Sequence, residues 1–138
     1  MQFEEMLAKD DLQCKRVVMI QCVGSREEPR DYCSRVCCGT AIKNALKLKE
    51  MVPTADIKIL HKDIRTYGFY EKLYRDAREK GIHFIRFDEE NPTVNAGNGQ
   101  LSVSVKNRLL DVTMDLPADC VVLSSGIESL ETNDQLAK

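Results

Sequence analysis

The sequence predicts an α/β domain with a mostly parallel sheet and an antiparallel β-meander inserted into it. Three observations carry this prediction. Compact apolar runs at 17–20, 57–60 and 82–87 are separated by two stretches of helical periodicity. After the third run the period drops to two, and a last apolar run follows at 119–126. The 138 residues are 43% hydrophobic and 30% charged, which suits one core of ordinary size.

Residues 1–14 read as a short amphipathic lead-in. Val17-Val18-Met19-Ile20 fits a strand buried on both faces. Residues 21–31, with Gly24, Ser25, Pro29 and many charges, read as a loop. From about Ser34, the positions Val36, Ala41, Ile42, Ala45, Leu46 and Met51 form one helical stripe, which Pro53 ends. Residues 57–60 are the second strand. Tyr67-Gly68 opens a second helix with an apolar face of Phe69, Tyr70, Leu73, Tyr74 and Ala77, and Gly81 supplies its C-terminal cap. Residues 82–87 are the third strand, so the crossovers are expected to be right-handed and the pairing parallel.

Asn95-Ala96-Gly97-Asn98-Gly99 is a turn signal. Leu101, Val103 and Val105 alternate with polar residues, as do Leu110, Val112, Met114 and Leu116, which predicts antiparallel strands with one wet face. Residues 119–126 return to a buried strand ending at Gly126. The expected organisation is a lead-in (1–14), a Rossmann-like three-layer domain (15–128) and a flexible tail (129–138).

With 20 basic and 22 acidic residues, the net charge is −2, which argues against nucleic acid as the main partner. Lys43, Lys47 and Lys49 read as a solvated helix face. No apolar run approaches the roughly 20 residues of a membrane span, and the N-terminus lacks a signal-peptide pattern. The expected location is the cytoplasm, where cysteines serve as ligands or redox thiols more often than in structural disulfides.

Four of the six cysteines, Cys22, Cys33, Cys37 and Cys38, fall within 17 residues. Cys22 is placed at the carboxyl end of the first strand and the other three at the start of the following helix. In open α/β sheets that crevice binds ligands. Cys33 and Cys37 would share a helix face if the turn there is helical, with Cys38 rotated by about 100°. A bulky four-thiolate cubane suits such a set. The helix N-terminus, with Arg26, Arg30 and Arg35, would supply positive charge.

Zinc also takes four thiolates, but structural zinc sites usually carry two Cys-x-x-Cys knuckles, which are missing here. A catalytic thiol at Cys37 or Cys38 would need a depressed pKa, with His61 or His83 as base. Both histidines are flanked by apolar strand residues, so core or strand-end positions suit them better. Burial as small hydrophobes is the remaining reading; it suits Cys120, while Cys14 stands isolated.

A dinucleotide-binding loop, Gly-x-Gly-x-x-Gly, would follow the first strand directly. Gln21-Cys22-Val23-Gly24-Ser25-Arg26 stands there instead, so the cysteines take the phosphate loop's place. Asp63 lies near the position that binds ribose in such folds, and also suits a loop or cap carboxylate. A degenerate nucleotide domain that docks partner subunits is therefore a second reading.

Ile20-Gln21-Cys22-Val23-Gly24-Ser25-Arg26 and Tyr32-Cys33-Ser34-Arg35-Val36-Cys37-Cys38 resemble the A-subunit family of heterodisulfide reductases. Asp63-Ile64-Arg65-Thr66-Tyr67-Gly68, and the stretch from Ala118 to Gly126, resemble the same family, and together the motifs cover about 15–128. The resemblance implies a thioredoxin-reductase-like core and a [4Fe-4S] cluster on Cys22, Cys33, Cys37 and Cys38. It also implies electron relay among FAD, clusters and partner subunits, whether heterodisulfide reductase-like, hydrogenase or dehydrogenase. No FAD-binding Gly-x-Gly-x-x-Gly and no Cys-x-x-Cys-x-x-Cys run is present. The chain is therefore expected to be a truncated domain or a reduced paralogue. FAD would then belong to the full-length protein only, and an oxygen-labile cluster could be lost from the isolated domain.

Overall fold

The computed structural model describes residues 2–9, 14–88, 90–97, 99–130 and 133. Its elements run α1 (Gln2–Ala8), β1 (Arg16–Val23), α2 (Cys37–Met51), β2 (Asp56–His61), α3 (Tyr70–Glu79), β3 (His83–Arg86), β4 (Thr93–Gly97), β5 (Gln100–Asn107), β6 (Val112–Ala118) and β7 (Cys120–Ser125). Strands β3-β2-β1-β7 form one sheet with parallel pairing throughout, and β4-β5-β6 form an antiparallel sheet.

The period of two along β1 sorts its side chains between two cores. Val17 and Met19 face α1 and α2, joining Ile42, Leu48, Ile57 and Ile59. Val18 and Ile20 face the meander, meeting Leu60, Phe87, Val103 and Leu116. The parallel sheet is thus sandwiched between helices and meander, which gives the three expected layers. Fully burying a side chain such as Leu48 or Ile42 contributes about 1.5–3 kcal/mol.

Several boundaries differ from expectation. β1 continues through Gln21, Cys22 and Val23, with its register to β7 broken between Ile20 and Val23. Helix α2 begins at Cys37 rather than near Ser34, so Cys33 lies outside it and shares no helix face with Cys37. Val36 is 55% exposed. Phe69 precedes α3 and is 99% exposed, with Tyr70 also exposed; only Leu73, Tyr74 and Ala77 turn inward. Leu110 sits in an exposed turn, outside β6. β4 covers part of the predicted turn, and Gly97 pairs with Gln100 around the Asn-Gly dipeptide; Asn98 lies outside the described residues. β7 is an edge strand, so it is only partly buried.

The cap of α3 forms as expected. Gly81 takes φ +76 and its N–H donates to Arg78 O, while Ile82 N–H donates to Ala77 O, a Schellman pairing. Of the lead-in, residues 10–13 lie outside the described residues, as do residues 131, 132 and 134–138 of the tail.

Candidate functional site

The cysteine site is built where β1 leaves the sheet. Three of the four described non-glycine residues with positive φ fall here: Cys22 (+63), Arg26 (+60) and Arg35 (+64). Each such conformation costs on the order of 1–3 kcal/mol and persists only where surrounding structure enforces it. The Cys22 carbonyl accepts from Ser25 N–H at 3.1 Å, and Gly126 N–H donates to Val23 O at 2.8 Å. A Cβ on Gly126 would lie 2.9 Å from Ser25 Cβ and 3.1 Å from Gly24 O, so the end of β7 presses on this loop. Ser34 Oγ accepts from Ile127 N–H at 2.9 Å and Tyr32 Oη donates to Ile127 O at 3.1 Å, tying residues 32–34 to the same segment.

Cys22 and Cys38 are buried, and Cys33 and Cys37 half-buried; all four are free thiols. Cys37 and Cys38 open α2, whose Val36 cap makes no side-chain hydrogen bond, so the first-turn N–H groups remain available to an anion. Burial pushes the Cys37 thiol up, and the charges of Cys22 and Cys33 push it further. Burial likewise raises Cys38, an N–H from Arg65 opposes this, and Cys22, Cys33 and Cys37 raise it again. The sulfurs therefore lie within electrostatic reach of one another. The Arg35 N–H donates to Cys33 Sγ at 3.3 Å, and the Cys38 thiol donates to Asp63 O at 3.8 Å.

These shifts run against a catalytic thiol at Cys37 or Cys38, which needs a lowered pKa. The suggested bases do not help. Burial drops His61 to about 4, and His83 is exposed at the start of β3. Among the described residues no three Cys, His, Asp or Glu side chains converge closely enough to ligate one metal ion.

The expected arginine support is partly spent. Arg30 pairs with Glu128, and Arg26 Nη1 lies 3.9 Å from Asp63 Oδ2. Asp63 thus serves as a loop carboxylate toward Arg26 and Arg65. Arg26 Nη1 is nevertheless buried without a hydrogen bond, as are both amide atoms of fully buried Gln21 and His61 Nδ1. Buried orphans are uncommon, and each calls for an explanation such as strain or a bound water or ion. Sequence reasoning missed Gln21 and Gly126; the signals were an amide following an apolar run and a glycine ending one.

The layers and strand order define the class: an α/β domain with a thioredoxin-reductase-like fold, which here carries four cysteines around the carboxyl end of β1. Thioredoxin reductases from T. acidophilum (TM-score 0.53, 18% identity, 86% of this chain and 33% of that one) and Lactococcus lactis (TM-score 0.57, 14% identity, 94% and 38%) share the fold. No protein-family profile matches the chain. By sequence it is 41% identical over 138 residues to the A subunit of the H(2)/formate:CoB-CoM heterodisulfide,ferredoxin reductase of Methanococcus maripaludis, covering 97% of this chain and 21% of the relative. It is 42% identical over 116 residues to the A subunit of the ferredoxin:CoB-CoM heterodisulfide reductase of Methanosarcina acetivorans (82% and 14%). It is 40% identical over 138 residues to the iron-sulfur A subunit of the CoB--CoM heterodisulfide reductase of Methanocaldococcus jannaschii (97% and 21%). The chain belongs to the A-subunit family of heterodisulfide reductases and corresponds to about a fifth or less of the length of these relatives.

Proposed function

We propose that this domain is an electron-transfer module of a heterodisulfide reductase A-like oxidoreductase, holding a [4Fe-4S] cluster through Cys22, Cys33, Cys37 and Cys38. The observation that carries the reading is that these four thiols lie within electrostatic reach of one another, beside positive-φ backbone at Cys22, Arg26 and Arg35, where β1 ends and α2 begins. Bound there, such a cluster would take up and release single electrons. The chain's own residues hold it and set its environment. The uncapped first turn of α2 and the N–H groups of Arg35 and Arg65 stabilise negative charge on the sulfurs of Cys37, Cys33 and Cys38. Positive φ at Cys22 turns that ligand out of the regular strand direction. One of the relatives is itself named an iron-sulfur subunit, which supports the assignment.

In this reading FAD belongs to segments outside this chain, since the loop after β1 has no dinucleotide fingerprint. Exposed Tyr67, Phe69 and Tyr70 suit a surface covered by the rest of such a polypeptide or by partner subunits. Among the described residues no helix is long and apolar enough to cross a membrane, and we place the protein in the cytoplasm.

Anaerobic reconstitution with iron and sulfide tests the assignment. It should give about four of each per chain, with broad absorbance near 400 nm, a reducible EPR signal, and loss of all three in Cys22→Ser. One zinc per chain with no sulfide would refute it.

A further inference from the structure

The six cysteines divide into two groups, and the proposed function uses only one. Cys14 precedes β1 and Cys120 opens β7, at the amino ends of neighbouring parallel strands. The other four lie at the carboxyl end of the same sheet. Cys120 is in register with Val17, Asp119 N–H donates to Arg16 O at 2.8 Å, and Lys15 N–H donates to Asp119 Oδ2 at 3.0 Å. These bonds bring the start of β1 against the start of β7. Both thiols are half-buried and both pack on the same helix-side core, and the charge of Cys14 reaches Cys120.

We propose that Cys14 and Cys120 are a redox-active thiol pair that closes to a disulfide by exchange with a low-molecular-weight disulfide. The Cys14 thiolate attacks one sulfur of the small disulfide, whose S–S bond breaks and releases one small thiol. Cys120 then loses its proton to solvent, and its thiolate attacks the Cys14 sulfur and expels the second small thiol. The two protein thiols lose two electrons, and the small disulfide is reduced to two thiols.

The order of attack follows from the surroundings. Burial and then the charge of Cys14 push Cys120 up to about 11, which makes Cys120 the thiol that keeps its proton through the first step. Once Cys14 carries the mixed disulfide, its charge is gone and that part of the shift with it. Closure would fasten the start of β1 to edge strand β7, whose far end braces the cysteine loop through Gly126 and Ile127. The pair closes whether or not a cluster binds at the other end of the sheet.

The test equilibrates the full chain anaerobically with oxidised glutathione, alkylates the remaining thiols and maps the peptides by mass. The expected result is a Cys14–Cys120 link, two hydrogens lighter than the reduced peptides. It should form faster at pH 9 than at pH 7 and be absent from Cys14→Ser and Cys120→Ser. The oxidised wild type should also unfold at a higher temperature, reversibly with reductant, which keeps the test independent of how the variants fold. Recovery of both cysteines alkylated, as lasting glutathione adducts, or joined to Cys22, Cys33, Cys37 or Cys38 would overturn the proposal.

Discussion

The two ends of the parallel sheet are built on opposite terms. At the amino end, polar groups are matched: one carboxylate, Asp119, accepts from the N–H groups of Lys15 and Arg16 and from the Arg16 guanidinium at 2.6–3.0 Å. At the carboxyl end, three non-glycine residues take positive φ, and Gln21, Arg26 and His61 bury polar atoms without hydrogen-bond partners. The hydrophobic layers between them are continuous, so the difference does not come from poor packing. Strain and unmatched polarity thus gather at the end that also carries the four thiols.

The largest effect belongs to the core that both ends share. Leu48→Ala removes a fully buried side chain from the helix-side core and should cost about 2–5 kcal/mol in urea unfolding, with no preference for either end. If the loss were under about 1 kcal/mol, the shared core would not be what carries both ends.

At the carboxyl end, His61 should titrate near 4 by NMR, since burial lowers it from 6.5. The folded state then resists protonation that the unfolded chain accepts. Stability is full above about pH 6.5 and falls as pH drops toward 4, by on the order of 3 kcal/mol at most. His61→Phe should flatten that slope; an unchanged slope would assign it elsewhere.

Gly126→Ala bears on the carboxyl end alone. The new methyl would meet Ser25 Cβ and Gly24 O, costing about 1–3 kcal/mol. It should lower iron uptake more than an equally destabilising change in the meander does, measured after matched reconstitution.

The smallest effect belongs to the amino end. Hydrogen bonds from Arg16 hold the exposed Asp119 carboxyl at about 2, below its usual 3.8. Its contribution is present above pH 3.8 and lost as pH falls through 2, and Asp119→Asn should remove that portion of the acid slope. Thermal melts between pH 5 and pH 2 would read it.

The parallel strands, both long helices and the Gly81 cap are legible in the sequence because local pattern and burial agree at those residues. β4 is not, because Thr93, Val94, Asn95, Ala96 and Gly97 are all exposed; an edge strand with two wet faces leaves no period of two to read. Phe69 reads as inward because periodicity gives the face of a helix and not the turn at which it starts. The four clustered cysteines are visible by proximity in sequence. The nearness of Cys14 to Cys120 is not, since it arises only where the start of β7 lies beside the start of β1. The backbone reversals at Cys22 and Arg35 are equally hidden, because nothing in those residue types asks for positive φ.

Whether the carboxyl end of the sheet binds the proposed cluster is decided most directly by a crystal of the anaerobically reconstituted chain, measured on either side of the iron absorption edge. One strong iron peak is expected at the carboxyl end of β1, bounded by the sulfurs of Cys22, Cys33, Cys37 and Cys38. Iron bound elsewhere, or a peak present only at the zinc edge, would contradict the assignment of a four-cysteine cluster site.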